Sequence, residues 1–242
     1  MCTLAVAFQT DRRWPVVVAA NRDERLGRAA EGWDVREPPG APRLAAPRDL
    51  VAGGTWIGVS ARGVFAAVTN FHTGEPPDPR RRSRGELVPK ALAHATAAEA
   101  RAATAREDPA LWNPFHLLVA DAESAFLWRW DGERGALDEL APGLHVVTES
   151  SHDGRGPRGE LVRARWPLDL GVAGLRDVLT VHGDRAAATC IHMDPQYGTR
   201  SSAILRLPRS LAAAELHVAE GRPCTTPLDD RSALLHALAR SA

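Results

Sequence analysis

The residue with the most direct chemical potential is Cys2, directly behind Met1. Cysteine is small enough for aminopeptidase removal of the initiator methionine, which leaves Cys2 with both a thiol and a free α-amine. The amine titrates at roughly 7.7–8 and is a usable base near neutrality. The thiol is a strong nucleophile even when only a few per cent is ionised. One residue then holds nucleophile and base together, as in terminal Ser and Thr enzymes.

Other residues fit around this pair. The run Asn21-Arg22-Asp23-Glu24 follows a valine-rich segment, Asn70 closes another apolar run, and Arg200 follows Tyr197-Gly198-Thr199. Asp23 can orient an amine. Arg22 or Arg200 can acidify a thiol, as a fixed cation does. The Asn70 side chain and a backbone N–H can hold an oxyanion. Trp56, beside Gly53-Gly54, is placed to line the same cleft.

Several alternatives are set aside. HExxH, GxSxG, SxxK and GxxxxGK[ST] are absent. Gly154, Gly156 and Gly159 match GxGxxG, but Pro157 interrupts the loop and no strand runs into it. Cys190 and His192 share a strand face but supply two donors, too few for a metal site, so none is expected. Cys2, Cys190 and Cys224 make an odd count without CxxC spacing, which argues against a disulfide framework. Lys90 is the only lysine and so the only Schiff-base candidate, and the arginine run from Arg80 to Arg84 reads as a solvated face.

The elements that must position these residues read as strand groups and helix groups. Residues 2–8 and 15–20 form a hairpin that puts Asn21–Glu24 at the same sheet end as Cys2. Residues 32–53 read as an irregular loop, and 53–59 with 64–70 as a second hairpin. Ser83 with Glu86, and Thr96 with Glu99, have capping-box spacing and open two helices. Strands follow at 115–120, 125–130 and 144–148, helices at 160–166 and 174–180, and strands at 186–193 and 202–207. A short helix ends the chain from about residue 229. This grouping predicts a single α+β domain over 1–242 with mainly antiparallel sheets.

The 242 residues are 44% hydrophobic and 25% charged, ordinary values for a globular core. Formal net charge is zero, so nucleic acid is not an expected partner. No apolar run reaches membrane-span length, and Asp11, Arg12 and Arg13 break any signal-peptide pattern. A soluble protein of the reducing cytoplasm, with a small-molecule substrate or ligand, is the expectation.

Six segments in order carry a resemblance: Met1-Cys2-Thr3, Asn21-Arg22-Asp23-Glu24, Gly53-Gly54-Thr55-Trp56, Thr69-Asn70-Phe71, Arg84-Gly85-Glu86-Leu87-Val88 and Tyr197-Gly198-Thr199-Arg200. Together they resemble the NRDE family, that of the transport-and-Golgi-organisation proteins. That family is similar to N-terminal-nucleophile hydrolases, above all the penicillin V acylase and bile-salt hydrolase branch. The resemblance implies a four-layer αββα sandwich with Cys2 heading a central strand. It implies Cys2 as nucleophile, Asp23 as amine-orienting carboxylate, Asn70 as oxyanion donor and Arg200 as a late active-site arginine. Asn21, Arg22, Trp56 and Tyr197 are expected to contact substrate. Two positions depart from that branch: Ala20 stands where it has an arginine, and Glu149 where it has a second asparagine. The implied reaction is hydrolysis or acyl transfer of a small-molecule amide, with no cofactor. The alternative is haem binding or trafficking, for which seven tryptophans and many arginines suggest a flat anionic ligand.

Overall fold

The computed structural model describes residues 2–184, 186–193 and 195–240. Its strands are β1 (Cys2–Phe8), β2 (Val16–Arg25), β3 (Ala30–Arg36), β4 (Leu44–Asp49), β5 (Ile57–Ser60), β6 (Phe65–Asn70), β7 (Phe115–Ala120), β8 (Ala125–Trp130), β9 (Gly135–Glu139), β10 (Gly143–Thr148), β11 (His192–Met193), β12 (Tyr197–Leu207), β13 (Glu215–Ala219) and β14 (Asp229–Asp230). Its helices are α1 (Leu87–Leu92), α2 (Ala97–Thr104), α3 (Pro157–Arg165), α4 (Val172–Leu179) and α5 (Ser232–Ala239).

Among the described residues the strands form two antiparallel sheets. One runs β10-β1-β2-β12-β13-β14, with β11 on the end of β12; the other is the meander β3 to β9 in chain order. The β1–β2 hairpin sets the layering through its two-residue period. Leu4, Val6, Phe8, Val16 and Val18 point between the sheets, where they meet Ile57, Phe65, Leu118 and Leu127. Ala7, Val17 and Ala19 point outward beneath Leu175 and Leu179 of α4, and Ala5 beneath Val162 of α3 and Val178 of α4. A strand covered on both faces reads as one apolar run, which is why residues 3–8 show no polar alternation.

The outer face of the second sheet meets α1 and α2. Leu87, Val88, Leu92 and Ala97 pack on Ala66, Leu117, Phe126 and Trp128. The order of layers is therefore helix, sheet, sheet, helix, an α+β sandwich. Leu235 and Leu238 of α5 join the inter-sheet core. Thr96 caps α2 by accepting from Glu99 N–H at 3.1 Å, while the Glu99 carboxylate receives the Ala95 N–H at 3.0 Å. Ser83 instead accepts from Gly85 N–H and starts a 3-10 turn before α1.

Three expectations need correction. Residues 32–53 are not irregular: β3 and β4 lie there, with Leu44, Ala45 and Ala46 buried beneath a surrounding excess of Pro, Gly and Arg. The second strand does not stop before residue 21 but carries Asn21–Arg25 into the sheet, because β12 extends alongside it. Residues 186–191 form a turn-rich loop rather than a strand, and only His192–Met193 pair with β12. Met1, whose removal would free the Cys2 amine, lies outside the described residues.

Candidate active site

Cys2 opens β1 and faces Arg22 across the hairpin, and Thr3 faces Asn21. Its thiol points at the Asp23 carbonyl, 3.8 Å away. The Tyr197 hydroxyl donates to that same oxygen at 2.9 Å. Burial pushes the Cys2 thiol above its ordinary pKa; the Asp23 carboxylate adds to this and Arg22 opposes it.

The Asp23 side chain is buried beside β12. The Thr199 hydroxyl donates to its Oδ1 at 2.5 Å, while Oδ2 has no hydrogen-bond partner among the described residues. Burial lifts this carboxyl to about 7, against the Thr199 bond. A buried carboxylate oxygen without a donor is costly. Thr199 supports this carboxylate from within the Tyr-Gly-Thr-Arg segment, although the sequence reading gave it no role. Thr199 also anchors the chain behind it, accepting from Ile191 N–H at 2.8 Å.

Arg22 lies over the Trp56 ring, 3.8 Å from its centroid, and reaches Glu24 and Asp49 at 3.8 Å each. Ala20 and Arg22 lie two residues apart and so share a strand face. Arg22 thus occupies the face expected of position 20, one step nearer Cys2. Trp56 is placed by a backbone contact between two of the sequence segments. Thr55 N–H donates to Gly85 O at 3.1 Å, and a Cβ on Gly54 would sit 2.4 Å from that oxygen. The same contact positions Arg84, whose guanidinium burial pushes below its ordinary pKa against the opposing pull of Cys2.

The remaining expected residues are arranged differently. The Asn21 side chain lies within the scaffold: its Nδ2 donates to Leu179 O and Thr189 O at 2.9 and 2.8 Å, and its Oδ1 accepts from Ser202. It braces the sheet against the 179–189 segment. Asn70 is exposed at the end of β6 and lines the large groove rather than the crevice of Cys2. Arg200 sits at the bulge where β12 changes register against β2 and contacts Arg25 O at 3.5 Å. Glu149 is no oxyanion donor, since its carboxylate is bound by the buried Arg158 at 2.6 Å. The 154–159 glycines build the turn before that arginine: a Cβ on Gly159 would lie 2.1 Å from Gly154 O. The GxGxxG match is thus a close-packed loop, and Arg158 is a further residue that sequence patterns missed.

The crevice over Cys2 holds 30 Å³ and is walled by Thr3, Ala20, Arg22, Trp33, Trp56 and Thr69. That is about the room of a water molecule. A groove of 1480 Å³ begins one residue away, where Asn70 follows Thr69, and it also holds Tyr197, Arg84 and Glu149. An acyl chain therefore has room beside the thiol, not on top of it. The groove mixes Arg25, Arg28, Arg81 and Arg84 with Glu75, Asp78, Asp131, Glu133 and Glu149, so charge alone does not select an anion there. Its walls contain no tryptophan; Trp112, Trp128 and Trp130 belong to the core under α1 and α2.

Other nucleophile candidates are placed elsewhere. Lys90 pairs with Glu107 at 2.7 Å on the outer face of the second sheet. Arg80 and Arg82 pair with Asp78 and Glu86, and Arg81 donates to Trp112 O. Cys190 and His192 are not an isolated pair. The fold brings His182, earlier in the same loop, and Cys224, from the turn after β13, to them, so the count of donors that argued against a metal does not hold.

The comparisons bear on the family and the fold. A family profile described as "Transport and Golgi organisation 2" matches residues 1–167. The Transport and Golgi organization protein 2 homolog of Bos taurus is 28% identical over 85% of this chain and 88% of its own length. The Homo sapiens homolog is 26% identical with the same coverage. Among solved structures, the Caenorhabditis elegans ortholog of N-acylethanolamine-hydrolyzing acid amidase superposes with a TM-score of 0.63 at 14% identity, covering 85% of this chain and 92% of that one. Penicillin V acylase from Agrobacterium tumefaciens gives 0.56 at 14% identity, covering 100% and 89%. At such identities these two likenesses concern the fold. No described helix is long and apolar enough to cross a membrane.

Proposed function

Because the chain belongs to the Transport and Golgi organisation 2 family and shares the N-terminal-nucleophile hydrolase fold, we propose that it is an amidohydrolase or acyltransferase whose nucleophile is Cys2, acting on a small-molecule amide. The observation that carries this reading is a strand-end thiol directed at the Asp23 backbone carbonyl, beside a residue whose buried Oδ2 has no donor among the described residues. Removal of Met1 converts the Cys2 nitrogen into an amine, and Asp23 Oδ2 is the acceptor that orients it.

The reaction then proceeds in two balanced steps. The thiol attacks the amide carbonyl while the amine takes its proton. The tetrahedral oxyanion is met by the Arg22 or Arg84 cation, while Asn70, at the groove mouth, contacts the acyl group beyond it. The amine returns the proton to the departing nitrogen, leaving an acyl-cysteine. Water, or a second amine, attacks that thioester and releases the acid or a new amide. Tyr197 holds the Asp23 carbonyl that orients the thiol, so its part is positioning.

Two of the structural relatives are named for amide-type substrates, an N-acylethanolamine amidase and a penicillin acylase, which favours an acyl chain in the groove. The test is a panel of chromogenic anilides with aliphatic and aryl acyl groups, run with the processed protein and with Cys2→Ala. Saturable release that Cys2→Ala abolishes supports the proposal. No release, together with a Soret shift on adding haemin that Cys2→Ala leaves intact, favours haem binding in the 1480 Å³ groove, where His72 and Met193 are axial-ligand types.

A further inference from the structure

On the far side of Thr199 from Asp23, two loops converge. Residues 181–184 and 186–192, between α4 and the first residue of β11, carry His182, Cys190 and His192, and the turn at 222–226 after β13 carries Cys224. The donor atoms of these four residues all lie within 4.8 Å of one another. Cys190 Sγ is 3.6 Å from Cys224 Sγ and 3.5 Å from His192 Nε2. Cys224 Sγ is 3.4 Å from the same nitrogen. The His182 and His192 rings approach edge to face, with centroids 4.5 Å apart.

These separations match the edges of a coordination tetrahedron. With Zn–S near 2.3 Å and Zn–N near 2.0–2.1 Å, tetrahedral angles place two sulfurs about 3.8 Å apart and a sulfur and a nitrogen about 3.5 Å apart. Two thiols and two imidazoles are the donor set of structural zinc sites, and thiolate softness selects against Mg²⁺ and Ca²⁺. We propose that His182, Cys190, His192 and Cys224 bind one Zn²⁺-class ion. Each thiol gives its proton to solvent on binding, so two thiolates balance the dication and the loaded site is neutral. With four protein donors no position is left open for substrate, and the site is structural.

The surrounding backbone is built to hold this arrangement. Cys190 N–H donates to Val181 O at 3.0 Å, which brings the residue beside His182 into line with Cys190. A Cβ on Gly198 would lie 2.6 Å from Ile191 O, so only glycine lets β12 approach the loop between the two ligands. Thr225 and Thr226 N–H both donate to Arg222 O, forming the turn that presents Cys224. The same loop supplies Thr189 O to Asn21 and Ile191 N–H to Thr199. A metal here clamps the 222–226 turn to the segment that holds Asp23 in place. The site stands whether or not Cys2 is a nucleophile.

The test is Co²⁺ titration of the full-length protein, reduced with a phosphine and stripped with a chelator. The expected result is one equivalent bound, with thiolate-to-cobalt charge-transfer absorption and the intense d–d bands of a tetrahedral site. Zn²⁺ should displace the colour and raise Tm. Cys190→Ser, Cys224→Ser and His192→Ala, each checked for native circular dichroism, should weaken Co²⁺ binding beyond the 10–100-fold typical of losing a mere supporting partner. Cys2→Ala should leave the spectrum unchanged. The proposal is overturned if the unaltered protein gives only the pale spectrum of an octahedral site, or no binding. It also falls if the charge-transfer band survives Cys190→Ser and vanishes in Cys2→Ala, or if Cys190 and Cys224 form a disulfide and their reduced form takes no metal.

Discussion

Replacing Asp23 by asparagine should make the protein more stable and less active, and the gain should depend on pH in a calculable way. The folded pKa of about 7 lies above the ordinary carboxylate value of 3.8 because burial disfavours the charge. Between those values the folded state binds more protons than the unfolded one, so stability falls as pH rises through the window and the loss is complete above about 7. At 1.36 kcal/mol per unit the full penalty is about 4 kcal/mol, of which about 2–3 kcal/mol accrues between about pH 5 and pH 8. For a chain of this size that is a Tm difference of about 5–10 °C. Thermal unfolding of Met1-bearing protein and its Asp23→Asn variant, across that range, should show the variant's advantage widening steadily. Processed protein should show a flatter difference, since a Cys2 ammonium gives Oδ2 its missing partner and draws the pKa down. Parallel Tm profiles in both forms would refute the reasoning.

The other predictions concern neighbours of the site. His116 is buried, with Nδ1 3.4 Å from Thr69 Oγ1, and burial followed by the His152 charge takes it down to about 4. Its folded pKa lies below the ordinary histidine value, so stability should fall with acidification between about pH 6.5 and pH 4. By urea midpoint, His116→Gln should lose about 2 kcal/mol less than the parent on going from about pH 7 to about pH 5. Arg158→Met leaves the half-buried Glu149 without its partner and should cost about 2–3 kcal/mol in denaturant unfolding, while the double variant with Glu149→Leu recovers most of it. Gly54→Ala forces a Cβ against Gly85 O and should lower both Tm and any Cys2 reactivity, because Trp56 and Arg84 flank that contact. Trp56→Leu removes the ring under Arg22 and should cost about 0.5–2 kcal/mol, with a faster Cys2 alkylation rate reporting the opened crevice.

The central hairpin was legible because its signal is local. Apolar runs at 2–8 and 15–20 joined by a polar turn read as a hairpin with Asn21–Glu24 at the Cys2 end, and the structure puts Cys2 opposite Arg22. The 115–120 and 125–130 strands were legible for the same reason. Edge strands were not: β3 exposes much of its length and is interrupted by a register shift, so its period is broken. At the site, Cys2, Asp23, Arg22, Trp56 and Tyr197 converge as their segments suggested. Arg158 was hidden because a buried arginine looks like a surface one until its partner Glu149 is known. The His182–Cys224 cluster was hidden because one ligand comes from beyond β13. Asn21, a substrate contact only by resemblance, carries its side chain on the outward strand face, bonded to Leu179 O and Thr189 O, which a strand-end motif alone does not reveal.

The most direct test of the central claim is intact-mass analysis of purified protein during turnover of a slowly hydrolysed activated acyl ester. The account predicts a chain lacking Met1 that gains one acyl mass, mapped to Cys2, and no adduct when Asp23 is replaced by asparagine. A chain that retains Met1, or a processed chain acylated equally well without the Asp23 carboxylate, would contradict it.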